Sequence, residues 1–353
     1  MNERLLKYLI YVGGAICLYA FIAVRVEPLY NAVLVEKKEP EHFEFTKYGE
    51  LYYFSQISHF KEDLPKPIRK FRYSEKQSKL EDADIVTFGD SFFDFSRVKT
   101  VPERLADSLH KKVHAIYSFY PFNYFNHIGY KRSSKKVFIY ETVERMIPIR
   151  FDQPQNSQEE LVDWGSPGIA RKVLDWVFPT NVEERLTTLL KGSYFTRPAY
   201  SAISTFKFDE FGYISSKTPL YSLRDKPWLF YYESVNDEVT GFYYHHSQEE
   251  IDKYCDNIAT MGKELKEKYN FDFVFCPIPN KYTLYFDKVD KNAKYDEFLP
   301  RIFKGLEKRG VDYVDVYDEF IDMDSVLYFG TDSHWNDKGA QIAVDKIIEQ
   351  ILK

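Results

Sequence analysis

Only three cysteines, Cys17, Cys255 and Cys276, occur in the 353 residues, and none stands in a C-x-x-C spacing. That excludes a disulfide framework and a cysteine-rich metal site. Cys17 lies in an apolar N-terminal stretch, Cys255 in a helix-like run and Cys276 in a strand-like one, so all three read as free thiols. Basic residues are not in excess: 48 Lys and Arg face 54 Asp and Glu, for a formal charge of -6. A chain without a basic face is a poor nucleic-acid binder, and nucleic acid is excluded as the main partner. Glycine and proline are few, at 15 and 16, and there is no internal repeat or low-complexity tract.

What is present is the composition of a folded protein, 44% hydrophobic and 29% charged, long enough for one large domain with an insertion or for two modest domains. Aromatic residues make up 18%, which fits ring-stacking surfaces for sugars or a Tyr- and Phe-rich core. The one long apolar run covers residues 8–24, with Lys7 before it and Arg25 after it. It is short for a membrane span, but flanking cations can reach the interface. Ala20-Phe21-Ile22-Ala23 does not give a small-x-small cleavage site, so an uncleaved signal anchor is expected over 1–26. Arg4 and Lys7 favour a cytoplasmic N-terminus, although Arg25, Lys37 and Lys38 weaken the asymmetry. The expectation is a single-pass protein of the cell membrane with its C-terminal domain outside the cytoplasm.

Residues 27–80 read as a connector, with Pro65 and Pro67 inside a charge-rich stretch. Residues 81–353 read as the domain proper. Strands are expected over 83–88, 113–117, 136–140, 271–278 and 311–316, and helices over 101–111, 247–268, 292–309 and 338–352. This alternation predicts an α/β fold, a three-layer α/β/α sandwich on a parallel sheet. Ser247 with Glu250 forms a capping box. The rhythm breaks over 150–244, read as a helical and irregular insertion on the sheet's rim. Its signals are a capping box at Ser157 and Glu160, Asn181 before an apolar-periodic run, and the indoles of Trp164, Trp176 and Trp228.

Gly89-Asp90-Ser91 stands at the C-terminal end of the first strand, where reacting groups gather in open α/β sheets. A serine there presents its hydroxyl at the rim, and its own N–H points at an oxyanion formed beside it. Serine needs a base. Asp332-Ser333-His334 near the other end supplies one: in an extended loop alternate residues face the same way, so Asp332 can orient the imidazole. Asp324 and Asp337 are alternative orienters. Asp332 and His334 also suit a metal, but the matching serine favours a triad and no metal is expected. His245-His246 reads as a helix start rather than a ligand pair.

These blocks resemble the SGNH (GDSL-type) hydrolases. Gly89-Asp90-Ser91-Phe92 looks like their first block, and Asp332-Ser333-His334 with Asn336 and Gly339 looks like their last. The Asp-x-His spacing followed by Trp335 is similar to the SGNH-like proteins that O-acetylate extracellular polysaccharides, such as the alginate O-acetylation proteins. Glu141-Thr142-Val143-Glu144-Arg145 resembles their Glu-Arg element, and Pro277-Ile278-Pro279-Asn280-Lys281 their Pro-x-Pro-x-Lys element. The order of the serine and Asp-x-His blocks follows ordinary SGNH hydrolases rather than the alginate proteins, and the Gly-x-Asn of the third block is missing. The resemblance covers about 80–147 and 245–353. It implies Ser91 as nucleophile, His334 as base and Asp332 as orienter. Gly89, Asp90, Arg145, Asn123, Asn126, Lys281 and Trp335 are oxyanion or substrate candidates. It further implies an acetyl donor delivered by a multi-pass membrane O-acyltransferase, a polysaccharide acceptor and no cofactor. A carbohydrate acetyl esterase with the same triad, or a non-catalytic scaffold of a membrane acyl-transfer complex, are the alternatives.

Overall fold

The computed structural model describes residues 3–38, 43–132, 134–155, 182–224, 226–323 and 325–353. The expected capping box at Ser157 and Glu160, and Trp164, Trp176, Asn181 and Asp324, lie outside the described residues. Along the chain the elements used below are α1 (Glu3–Ala23), β1 (Ile85–Gly89), α2 (Val101–Leu109), β2 (Val113–Tyr117), α3 (Pro121–His127) and β3 (Lys136–Val143). They continue with α4 (Val182–Gly192), α5 (Arg197–Phe211), β4 (Leu220–Ser222), β5 (Trp228–Phe230), α6 (Gln248–Tyr269), β6 (Phe271–Ile278), α7 (Phe298–Glu307), β7 (Asp312–Tyr313) and α8 (Asp337–Ile351).

The chain divides into two compact units, Met1–Asp63 with Val162–Ser215, and Leu64–Leu161 with Ser216–Lys353. The second unit holds a five-stranded sheet in the order β2-β1-β3-β6-β7, parallel throughout. This is the doubly wound, flavodoxin-like order, with its switch point between β1 and β3. All five residues of β1 are buried, as its apolar, β-branched run requires of a central strand. One face of the sheet packs Phe88, Phe138 and Phe275 against Phe125 of α3, Ile258 of α6 and Ile302 of α7. The other packs Ile85, Ile139 and Val274 against Leu105 of α2 and Val344 of α8. The α/β/α sandwich expected from the sequence is therefore present.

Strand β6 runs over Phe271–Ile278 as read from its apolar run. The expected last strand is shorter, Asp312–Tyr313, and its ladder ends with the Val314 N–H donating to the Phe275 carbonyl. Ser247 caps α6 with both bonds of the box formed. Within 216–244 the antiparallel pair β4–β5 is anchored by Trp228 and Phe230, which pack with Phe242 and Tyr282.

The first unit contains α1, α4 and α5. Among the described residues α1 is the one helix long and apolar enough to cross a membrane, over Leu6–Ala23. Its C-terminal end is buried: Ala23 and Val24 pack with Leu34 and with Leu189 of α4.

Candidate active site

β1 ends at Gly89 and the chain turns at once. The Asp90 carboxylate accepts the Phe92 N–H at 3.1 Å, an Asx turn that leaves Ser91 at the tip. Beneath the turn the Asp90 N–H donates to Glu141 Oε2 at 2.7 Å, and Arg150 Nη2 donates to Asp90 Oδ2 at 3.0 Å. Glu141 sits so close that a Cβ on residue 89 would collide with its carboxylate, which explains the glycine. Burial, then the Asp90 charge, push the Glu141 carboxyl well above its ordinary 4.5.

The second arm of the site comes from the segment before α8. Tyr328 and Trp335 form an antiparallel bridge, and the Phe329 N–H donates to the His334 carbonyl at 3.1 Å. Asn336 closes the loop onto the helix: its side chain accepts the N–H groups of Lys338 and Gly339. A Cβ on Gly339 would collide with the Leu327 carbonyl. Within the loop, Asp332 Oδ1 accepts from the His334 N–H at 3.1 Å and from Nδ1 at 2.6 Å. The pair is therefore made by a tight Asx turn, not by alternation along an extended segment. A carboxylate only accepts, so the proton is on Nδ1 and Nε2 is left as the acceptor. Nε2 lies 2.7 Å from Ser91 Oγ.

The imidazole is held from its faces as well. Phe95 stacks on it at 4.1 Å and Phe92 flanks it at 4.7 Å. Burial raises the Asp332 carboxyl, but the charge and hydrogen bonds of His334 more than offset this, with Arg97 adding to them, and hold it below 3.8. Burial lowers the Arg97 guanidinium against the pull of Asp332.

Ser91, His334 and Asp332 are thus brought together in one hydrogen-bonded chain, and the other sequence candidates take different places. Gly89 and Asp90 are turned inward: the Asp90 N–H is used by Glu141 and is no oxyanion donor. Trp335 is fully buried in the core, edge-on to Phe92 at 5.2 Å, and touches no open space. Lys281 is also buried. Its ammonium donates to the carbonyls of Leu229 at 2.8 Å, Gly330 at 2.6 Å and Asp332 at 3.1 Å, so it clamps the loop that carries His334. Asn126 accepts from the Tyr269 hydroxyl at 3.3 Å. Tyr269 ends α6 just before β6 begins, at the end of the strands opposite Ser91. Asn123 is in the first turn of α3, which follows the C-terminal end of β2.

Arg145 follows β3 and lies 3.9 Å from Glu233, 3.5 Å from the Asn280 side chain and over the Tyr231 ring. Glu144, the other residue of the Glu-Arg element, is not among these partners of Arg145. Glu144 is buried and instead accepts from the Asn280 N–H, Thr283 and Tyr295 at 2.7, 2.7 and 2.6 Å. The alternative orienter Asp337 pairs with Arg104.

Sequence reasoning missed Arg97, Arg150, Phe95 and the buried place of Glu141 beneath the serine turn. A signal existed for the last: an acid in the interior of an otherwise apolar strand is rarely buried without a specific partner.

Residues 225–353 match a family described as an SGNH hydrolase-like domain, acetyltransferase AlgX. The matched stretch contains Asp332, His334, Lys281 and Trp335, while Ser91 and Arg145 lie upstream of it. It supports the SGNH-like acetyltransferase character inferred from the residues. Neither a curated protein nor a solved structure matches the chain.

Proposed function

We propose that the protein is a serine-dependent O-acetyltransferase that modifies hydroxyls of a cell-surface or secreted polysaccharide. The observation that carries the reading is the unbroken hydrogen-bond chain from Ser91 Oγ through His334 to Asp332. Ser91 Oγ attacks the acetyl carbonyl while His334 Nε2 takes its proton, and Asp332 stabilises the imidazolium. The oxyanion is met by the Ser91 N–H, and Asn123 and Arg145 are the candidates for a second donor. The leaving group takes the proton from Nε2 and departs, leaving acetyl-Ser91. A sugar hydroxyl then gives its proton to Nε2, attacks the ester carbonyl and releases Ser91 Oγ, which recovers that proton.

The anchor reading goes with it. Helix α1 holds the domain at a cell membrane with the site outside the cytoplasm, supported by its length and apolar character. The acetyl group arrives from a multi-pass membrane O-acyltransferase. No cofactor enters these steps.

The test uses the full chain in detergent with an aryl acetate, with and without oligosaccharide. A burst of phenol that Ser91→Ala abolishes, together with acetylated sugar, is the expected result. Free acetate alone makes the protein an esterase, and no turnover at all favours a scaffold.

A further inference from the structure

Helix α5 has fifteen residues and none of them is buried. Helices of this length are normally held by burial of an apolar stripe. Here the seated face is mixed: Phe208 packs edge-on against the buried Phe60 at 5.5 Å, and the other seating contacts are polar. Ser201 donates to the Gln56 carbonyl at 3.1 Å, Thr205 accepts the Ser58 N–H at 3.0 Å, and Asp209 meets His59 at 2.7 Å. Ile203 is two residues from both Ser201 and Thr205, so it points about 160° away from each. On that outer side Ile203 and Phe206 are 55% and 57% exposed, and Phe211 at the helix end is 75% exposed. Phe195, just before the helix, is 80% exposed. On α4, Leu186 and Leu190 are also exposed, one turn apart. Phe208 and Leu189 face inward, but most of the large apolar groups of the pair face outward.

The same unit supplies the reason. α4 is seated on the C-terminal end of α1, through Leu189 against Ala23 and Val24. If Leu6–Ala23 crosses a bilayer, α4 stands where that helix emerges. The outer face also has interfacial chemistry: Lys207 lies over the Tyr213 ring at 5.6 Å, and aromatic rings and long cations favour the headgroup level.

We infer that the outer face of α4 and α5 lies in the headgroup–acyl boundary of the phospholipid bilayer that α1 enters. The first unit is thus a membrane-seated base, held by one crossing helix and one interfacial helix pair. The inference rests on the proposed anchoring by α1.

The test keeps the full chain in nanodiscs of pure phospholipid. Cys17 is exposed on α1, while Cys255 and Cys276 are buried, so a thiol-reactive NBD probe labels Cys17 in the natural chain. In a Cys17→Ser background, Phe206→Cys and Phe211→Cys place the probe on the outer face, and Ile203→Cys does so if either misfolds. Brominated lipids then read depth. The expected result is loss of Cys17-probe emission to deep bromines and loss of 206- and 211-probe emission to shallow ones. A quenched Cys17 probe with unquenched outer-face probes overturns the inference and leaves the anchor standing. Shielding of the outer face in native membranes but not in pure lipid also overturns it, in favour of a protein partner. An unquenched Cys17 probe overturns the anchor and the inference with it.

Discussion

The two units use the same residue types in opposite ways. In the second, Phe125 is fully buried among Phe88, Phe138, Tyr269 and Phe271. In the first, Phe206 and Phe211 meet edge-on at 6.1 Å while both stay exposed. A sheet with helices on both faces makes its own apolar interior and can place Ser91 and His334 within hydrogen-bond reach. The first unit buries a smaller apolar cluster around Ala23, Val24, Leu34 and Leu189, and helix α5 leaves Ile203, Phe206 and Phe211 facing outward. The comparison teaches that aromatic abundance in this chain serves packing in both units, as at Phe125 and Phe60, and in the first unit also leaves large rings at the surface.

Separating the chemistry from the seating gives the largest effect. Ser91→Ala is expected to lower aryl-acetate turnover by about 10^3-fold or more, with vesicle flotation of the chain unchanged. A joint loss of turnover and flotation would break the division of labour. Next, Phe125→Ala opens a cavity in the second unit and should cost about 3–5 kcal/mol by urea titration. Lys281→Met comes close behind. It removes a buried donor from three carbonyls, so about 3 kcal/mol of stability and most of the turnover should go together. Intact turnover in a folded Lys281→Met chain would show that the clamp does not position the base.

Glu141→Gln probes the same unit with a smaller change. The folded-state value of Glu141 is raised above 4.5 by burial and by Asp90. The stability this proton contributes is whole below 4.5 and is lost as pH climbs through the raised folded value. Gln keeps the acceptor for the Asp90 N–H and does not titrate. Unfolding titrations from pH 5 to 9 should therefore show a flatter profile for the variant, with turnover kept at neutral pH. A variant that loses turnover while staying folded would show that a charged carboxylate is needed there. Smallest is Phe211→Ala in the first unit, expected to move the midpoint in detergent by less than about 0.5 kcal/mol because no cavity forms. A core-sized loss would erase the contrast between the units.

The sheet was legible because β1, β2, β3 and β6 are short, predominantly apolar runs, a local signal. The contact of Ser91, His334 and Asp332 was legible because they sit in two short blocks, and the one geometric error, extended alternation instead of an Asx turn, left the same atoms in contact. What escaped is non-local. Lys281 reads as a cation beside a strand, and nothing near it announces the three carbonyls supplied by residues 229, 330 and 332. The candidacy of Trp335 rested on its neighbour His334, although the two side chains leave the backbone toward different surroundings. Helix α5 hides for another reason. Its outward apolar groups are interrupted by Lys207 and Glu210, so its sequence does not present a clean stripe.

The collision between residue 89 and Glu141 has a consequence for how such chains are recognised. The first letter of Gly-Asp-Ser is dictated by the acid on the neighbouring strand. A bulkier residue at 89 becomes admissible only if position 141 shrinks. Gly89 and Glu141 form a lock and its key written half a domain apart. A search pattern that joins the two letters filters out ordinary Gly-Asp-Ser turns, whereas the tripeptide alone admits them.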